Sequence, residues 1–165
     1  MEMTILIVQA SAVFFMAAWL TVGGLENLFH PFLNETYTAE VMDMTRMRED
    51  YPEAYTHVAY RRVTSERLRK VLFRIIVVWE ISAAAMLWIG SFALVLAAFG
   101  VAERDSAVGL ALAGSLMFTA TWAGFLVVGN WFCYWFGHEG GQNTHFQMLL
   151  WGLGTLLLLV AGTSI

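Results

Sequence analysis

Long apolar runs, separated by polar segments of very unequal length, are the main feature of the chain. The first run extends from Ile5 to Gly24, and three more follow at residues 71–99, 107–136 and 146–162. A helix needs about 17 to 25 apolar residues to cross about 30 Å of hydrocarbon. In lipid, an isolated segment satisfies its backbone hydrogen bonds only as a helix. The pattern therefore predicts an all-α membrane protein with four transmembrane helices.

The three connections between these runs differ in length and character. Residues 26–70 form a long polar stretch, residues 100–106 a tight turn, and residues 137–145 a short glycine-rich link. Within the long stretch, residues 38–48 have helical character, and a second helical segment at residues 64–73 continues into the second span. We therefore expect a single domain: a compact antiparallel bundle with a partly helical cap between the first and second helices.

Composition agrees with a lipid environment. The sequence is 59% hydrophobic and only 13% charged, whereas soluble domains carry about 25% charged residues. The first run lacks the positive segment that precedes a signal peptide, so we expect it to remain in the mature protein. The formal charge of −4, without a basic stripe, argues against a nucleic-acid partner. Membrane lipid is the expected environment.

Basic residues are concentrated on one side of the predicted bundle. The chain has nine Lys and Arg residues, and Arg104 alone lies in the turn after the second span. The positive-inside rule then places the long connection in the cytoplasm and both termini outside. We expect a multi-pass protein of the bacterial cytoplasmic membrane. The other eight are Arg46, Arg48, Arg61, Arg62, Arg67, Arg69, Lys70 and Arg74.

A series of short motifs follows the chain from the end of the first span to the start of the fourth. They are Asn27, Met42-Asp43, Trp79-Glu80, Trp122 with Gly124-Phe125, Gly129 with Trp131-Phe132, and Gly141-Gln142. In this order they resemble the pattern of a bacterial family of small integral membrane proteins, domain of unknown function 2165. The resemblance covers most of the chain. It implies a fold and a membrane location, but no established activity.

The sequence departs from that family pattern at two places. Asn130 stands where the family usually has an acidic residue, and residues 139–142 read Glu-Gly-Gly-Gln in place of Trp-Asn-Gly-Gln. Any role of those polar groups is altered here. Members of the family also carry basic residues in the turn between the second and third spans. That property implies a cytoplasmic turn, which is the opposite of the orientation that the charge count favours.

Glu80 is the side chain whose placement in the predicted bundle costs the most free energy. It lies nine residues past Val71, roughly 14 Å into the bilayer at about 1.5 Å per residue. Intramembrane acids often mark proton, ion or ligand pathways. The alternative is a protonated acid that only fixes helix packing through a hydrogen bond, with Thr119, Thr121 and Thr155 at similar depth as partners. The candidate proton or ligand site comprises Glu80, Thr119, Thr121, Asn130 and Gln142.

Histidines and acids form a second candidate cluster on the face of the long connection. Imidazole and carboxylate groups are ligands for zinc, other transition metals or haem iron. However, the two histidines of the link are seven residues apart, which matches no standard ligand spacing, and no cysteine joins them. A polar link that bonds to the cap and the lipid headgroups is favoured, and no cofactor is assigned. The candidate metal ligands are Glu26, His30, His138, Glu139 and His145.

Other motifs have simpler interpretations. The aromatic residues 131–136 suit an interfacial belt better than a quinone site, and Met42, Met44 and Met47 suit packing better than a copper site. Dinucleotide, P-loop and hydrolase motifs are absent from the sequence, so no enzyme is expected. The leading hypothesis is an accessory or scaffold subunit of a larger membrane complex or homo-oligomer. The alternative is a proton-, quinone- or small-molecule-binding protein built around Glu80.

Overall fold

The computed structural model describes residues 2–162, which form seven α-helices and one 3-10 turn at Ala59–Arg61. Four of the helices are long and apolar enough to cross a membrane. The predicted all-α membrane fold is therefore confirmed. The helices are α1 Glu2–Phe29, α2 Phe32–Met42, α3 Thr45–Asp50, α4 Pro52–Val58, α5 Glu66–Ala98, α6 Arg104–Trp131 and α7 Glu139–Gly162.

The four long helices pack in a defined order. Helix α5 packs along both α1 and α6, α6 packs on α7, and α1 touches α6 and α7 less extensively. Their shared core includes Val13, Met16, Leu87, Phe118 and Leu159, which are fully buried. Each of the four helices therefore contributes to one apolar core, while the rest of its surface faces outward.

Glycine allows α5 and α6 to approach closely. A Cβ atom built at Gly90 would lie 2.6 Å from the Cα of Ala111, and one built at Gly114 would lie 2.8 Å from the backbone nitrogen of Leu87. Small residues at such crossings let transmembrane helices bring their backbones together and gain van der Waals contact. This contact fixes the rotation of α5, and with it the direction in which the α5 side chains point.

Both helices that enter from a polar turn begin with an N-cap side chain. The Ser65 hydroxyl accepts a hydrogen bond from the Leu68 amide at 3.3 Å, and the Glu103 carboxylate accepts from two amides at the start of α6. Such caps satisfy amide groups that have no partner within the helix. Helix α5, with 33 residues, is about 50 Å long, so it extends beyond the hydrocarbon.

The glycine-rich link was expected at residues 137–145, but α7 already begins at Glu139. The turn is made by Gly137, whose φ of +86° favours glycine, and by the residues just before it. Helix α6 correspondingly ends at Trp131 instead of continuing to residue 136, because Cys133 adopts a left-handed φ of 54°. The aromatic segment thus folds as a turn against the bundle end.

Residues 30–65, called the cap below, carry α2, α3 and α4. The expected helix at residues 38–48 is split, because Met44 has a left-handed φ of 53° between α2 and α3. The three methionines of this region form a buried cluster with Phe132 and Cys133. Their predicted packing role is confirmed, and the cluster binds the cap to the turn after α6. The methionines are Met42, Met44 and Met47.

An aspartate holds the other side of the cap. The Asp43 carboxylate accepts a hydrogen bond from Arg62 Nε at 2.8 Å and from Arg69 Nη1 at 3.0 Å, and Arg48 Nη1 lies 3.4 Å away. Burial acts to raise the pKa of Asp43, but the hydrogen bonds and charges of its partners outweigh it and lower that pKa. Asp43 thereby ties the cap to the first turn of α5.

Candidate functional site

A cavity of about 490 Å³ lies at the end of the bundle that carries the cap. It is enclosed by the end of α1, the first half of α5, the end of α6, the start of α7 and one side of α2. Its apolar wall is largely aromatic, and a few polar groups interrupt it. The aromatic residues include Trp19, Phe73, Trp122, Phe125, Phe132 and Tyr134, and the polar ones include Glu26, Asn27, Asn34, Glu80, Thr144 and His145.

Glu80 contributes a buried carboxyl group to this cavity. Its side chain is held by a chain of amides: Asn27 Nδ2 donates to Glu80 Oε2 at 2.8 Å, and Asn34 Nδ2 donates to Asn27 Oδ1 at 2.6 Å. Glu80 is only 5% exposed and Asn27 9% exposed. The chain connects α5, α1 and α2, so the cap is hydrogen-bonded to the intramembrane acid.

The threonine partners expected for Glu80 bond elsewhere, so that prediction is wrong. Thr119 Oγ1 donates to Ser115 O at 2.7 Å, and Thr155 Oγ1 donates to Trp151 O at 3.1 Å. Thr121 Oγ1 donates back to its own helix and accepts a bond from Trp79 Nε1 at 3.0 Å. A helical threonine readily reaches the carbonyl four residues earlier, and this local acceptor satisfies the hydroxyl.

Asn130 and Gln142 lie outside the cavity wall as the described residues define it. Asn130 is exposed on the last turn of α6, where its carbonyl oxygen accepts the amide of Cys133 at 3.1 Å. Gln142 is half-buried in the first turn of α7. Neither side chain joins Glu80, so the structure brings together a different set of polar groups from the one that the sequence suggested.

His145 lies in an aromatic setting. Its ring is 5.0 Å from that of Phe125, 5.6 Å from that of Trp122 and nearly parallel to that of Tyr134 at 6.0 Å. Tyr134 occupies the space left by Gly129, where a Cβ atom would come within 2.8 Å of its ring. Burial raises the pKa of Tyr134 to about 12. The phenol is therefore neutral and available as a hydrogen-bond donor.

The proposed metal ligands do not converge. Within residues 2–162, the structure has no group of three His, Cys, Asp or Glu side chains that could hold a metal ion. Glu26, His30 and Glu139 are exposed, whereas His138 packs against the Tyr37 ring at 4.8 Å. Burial lowers the pKa of His138, so this imidazole is a neutral packing group. The geometry gives the metal or haem hypothesis no support.

Four polar members of the site escaped the sequence-based assignment. Asn27 and Trp122 carried the family resemblance but received no role, Asn34 lies in a polar stretch, and Tyr134 was counted with the interfacial aromatic belt. One signal was available: Asn27 follows the end of the first apolar run by three residues, and Glu80 interrupts the second run. Their pairing across 53 residues depends on helix rotation, which the pattern does not define.

A family model described as a predicted small integral membrane protein, DUF2165, matches residues 5–161. The chain belongs to this family. Curated proteins gave no match, and neither did solved structures. Many of the residues that carry the resemblance to DUF2165 line the cavity described above. They are Asn27, Met42, Glu80, Trp122, Phe125, Gly129, Phe132 and Gly141.

Proposed function

We propose that this DUF2165 protein binds a small lipophilic molecule in the cavity beneath its cap. The observation that carries the proposal is the combination of size and lining: about 490 Å³ with a mostly aromatic wall and the Glu80 carboxyl group. Ligand pockets are typically about 300 to 1,000 Å³ and mostly apolar, with a few polar groups that orient the ligand. We therefore favour a binding role over a purely structural one, and over catalysis.

Unsatisfied polar atoms on the cavity residues support this proposal. Eight buried side-chain polar atoms of the described residues have no hydrogen-bond partner, and three of them belong to the cavity wall: Trp122 Nε1, Tyr134 Oη and His145 Nδ1. Each such atom costs about 1 to 3 kcal/mol. A molecule with hydrogen-bonding groups that reaches these three atoms offsets that cost.

The hydrogen-bond chain favours ligand binding over proton conduction. It runs from Asn34 through Asn27 to Glu80, and amide groups do not titrate. The two asparagines therefore orient the carboxyl group without providing a path of titratable groups toward the cap. Of the three versions of this hypothesis, proton, quinone or other small molecule, the amide chain disfavours the first.

The test uses a cavity-filling variant and a matched control. Gly23 lines the cavity, and a Cβ atom at this position meets no heavy atom within 4 Å. Gly109 is equally open but lies on α6 outside the cavity wall. We would measure the thermal unfolding midpoint in mild detergent while titrating 4-phenylbutanol, a neutral aromatic probe, into wild type, Gly23→Leu and Gly109→Leu.

We expect a saturable rise of the midpoint in wild type and in Gly109→Leu, because a ligand that binds the folded state stabilises it. The rise should be weaker or lost in Gly23→Leu, whose side chain occupies the same space. An identical response of all three proteins, or no saturable rise in wild type, would overturn the proposal.

An accessory or scaffold subunit is the second candidate. The surface of α7 favours this role. In the apolar 18-residue segment of α7 only 22% of the residues are buried, against 33% to 39% in the corresponding segments of the other three long helices. A larger membrane complex or a second copy of the chain would cover that surface. Purification in mild detergent from the bacterial cytoplasmic membrane, followed by mass spectrometry, tests it: a partner at stoichiometric amounts supports this role, and a protein that purifies alone counts against it.

A further inference from the structure

We infer that the cavity selects a lipophilic organic cation, whose ammonium group donates to the Glu80 carboxylate while its apolar body lies against the aromatic wall. This inference rests on the proposed function, because it names the class of molecule that the cavity binds. Three independent features of the cavity support it: the sign of its charges, the hydrogen bonding of Glu80, and the arrangement of its aromatic rings.

The charged groups of the cavity wall are acidic. Among the described residues, Glu26 and Glu80 line it, and no Lys or Arg does. This is notable because the cap is rich in arginine. Arg48 and Arg62 of the cap, and Arg69 at the start of α5, are directed at Asp43 instead of the cavity. An anionic ligand would meet two carboxyl groups and no counter-charge, whereas a cation meets an acid already in place.

Glu80 is oriented to accept hydrogen bonds. Asn27 donates to Glu80 Oε2, and Asn34 in turn donates to Asn27, so both amide donors point along the chain toward the carboxyl group. The bond from Asn27 uses one oxygen of the carboxyl group, and a carboxylate has about four lone-pair sites. Glu80 therefore retains acceptor capacity for a donor within the cavity.

The aromatic wall suits a cation with an apolar body. The rings of Trp19 and Trp122 are 5.3 Å apart and meet edge to face at 71°, and the Phe125 ring lies 5.6 Å from that of Trp122. Cations are attracted to the faces of Trp, Tyr and Phe rings within about 6 Å of the centroid. Several rings of differing orientation near one acid thus provide both faces for a cation and a surface for its hydrocarbon.

The inference is tested with three probes that differ only in their head group: 4-phenylbutylamine, 4-phenylbutanol and 5-phenylvalerate. Affinities are measured by the thermal titration described above, at neutral pH, where the amine is charged. We expect the amine to bind more tightly than the alcohol by about tenfold to a hundredfold, the range of a charged hydrogen bond, and the carboxylate to bind most weakly.

Substitutions of Glu80 separate its charge from its shape. Glu80→Gln keeps an oxygen that accepts from Asn27 but removes the charge, so we expect the preference for the amine over the alcohol to be lost. Glu80→Asp keeps the charge and should retain the preference. Glu53→Gln, an exposed carboxyl group outside the cavity wall, is the matched control and should retain it as well. Glu26→Gln removes the other carboxyl group of the wall and should retain most of the preference, because Glu26 is exposed.

The outcomes distinguish this inference from the proposed function. If the alcohol binds in wild type as tightly as the amine, or if Glu80→Gln retains the amine preference, the cation assignment is wrong while the cavity remains a binding site. If Glu26→Gln alone removes the preference, the assignment to Glu80 is wrong. If none of the three probes binds saturably, both the cation assignment and the proposed function are wrong.

The ammonium group has two natural sources, a free amine or the headgroup of an amino-lipid. They are separated by repeating the amine titration in phosphatidylglycerol nanodiscs with and without phosphatidylethanolamine. A lower apparent affinity in the presence of phosphatidylethanolamine supports the lipid headgroup as the occupant. An unchanged affinity supports a free lipophilic amine, and either result leaves the chemical class of the ligand the same.

Discussion

Asn27 is the residue that makes a buried glutamate tolerable in this protein. A buried carboxyl group needs hydrogen-bond partners, and Asn27, itself buried, donates directly to Glu80. The pair links α1 to α5 within the apolar part of the bundle. The structure thereby joins the two interpretations that the sequence left open, because the same bond that fixes packing also orients the carboxyl group toward the cavity.

Asn27→Ala should destabilise the bundle by about 1 to 3 kcal/mol, since it leaves a buried acceptor without its donor. The free energy of unfolding is measured in mixed micelles of dodecyl maltoside and sodium dodecyl sulfate. Asn34→Ala, an exposed member of the same chain, should cost less. The double variant Asn27→Ala with Glu80→Leu should lose less free energy of unfolding than the sum of the losses of the two single variants. If the losses are strictly additive, the two side chains are not directly coupled.

Asp43 gives the cap a dependence on pH. Its folded pKa is lowered, so its ionised form stabilises the cap at pH values above the unfolded pKa of about 4. This contribution is lost as the pH falls through the folded pKa. We expect the hydrogen-exchange protection factors of residues 32–62, which are corrected for the intrinsic rate at each pH, to fall below about pH 4. Asp43→Asn should exchange rapidly even at neutral pH, and an unchanged pH profile in that variant would contradict this role.

At the level of elements, the close contact between α5 and α6 is the feature that orients Glu80. The helices meet through Gly90 and Gly114, where added Cβ atoms would strike the facing backbone. Backbone cannot move aside as a flexible side chain does, so a larger residue has to separate the two helices. Such a separation turns α5 relative to α1 and disturbs the hydrogen bond to Asn27.

Gly114→Val should therefore lower the free energy of unfolding by about 1 to 3 kcal/mol, the usual cost of overpacking. Gly124→Val is the matched control on the same helix, since a Cβ atom there meets nothing within 4 Å. The mixed-micelle unfolding assay measures both variants. Equal losses in the two would show that β-branching in the helix, and not the helix contact, is responsible.

The connections were the elements least accessible to sequence reasoning. Glycine at positions 140 and 141 suggested a tight turn in the short link, yet both lie in the first turn of α7. A Cβ atom at Gly141 would collide with the hydroxyl group of Tyr37, so this glycine provides room for α2 and not a turn. The reason for a glycine thus became visible only through a residue more than 100 positions away in the sequence.

At the level of the whole molecule, the distribution of charge predicts the orientation. Eight of the nine basic residues belong to the cap or the first turns of α5, and Arg104 lies at the opposite end. The positive-inside rule then places the cap, and the cavity beneath it, on the cytoplasmic side. A ligand that enters through the cap would come from the cytoplasm.

This orientation is tested with paired reporters, alkaline phosphatase and green fluorescent protein, fused after residue 58 in the cap and after residue 102 in the turn between α5 and α6. The cap fusion should fluoresce and lack phosphatase activity, and the turn fusion should show the reverse. The opposite result would favour the orientation that the family resemblance implies and would place the cavity on the outer side.

The sequence by itself determined that the chain crosses the membrane four times as helices, because hydrocarbon thickness and unsatisfied backbone groups leave no other structure for apolar runs of this length. It also identified Glu80 as the residue in need of explanation. The tertiary structure alone decided that Asn27 donates to Glu80, that Asn34 donates to Asn27, and that the threonines bond elsewhere. Apolar patterning specifies the length of a helix, whereas its rotation and its neighbours depend on backbone contacts between segments far apart in sequence.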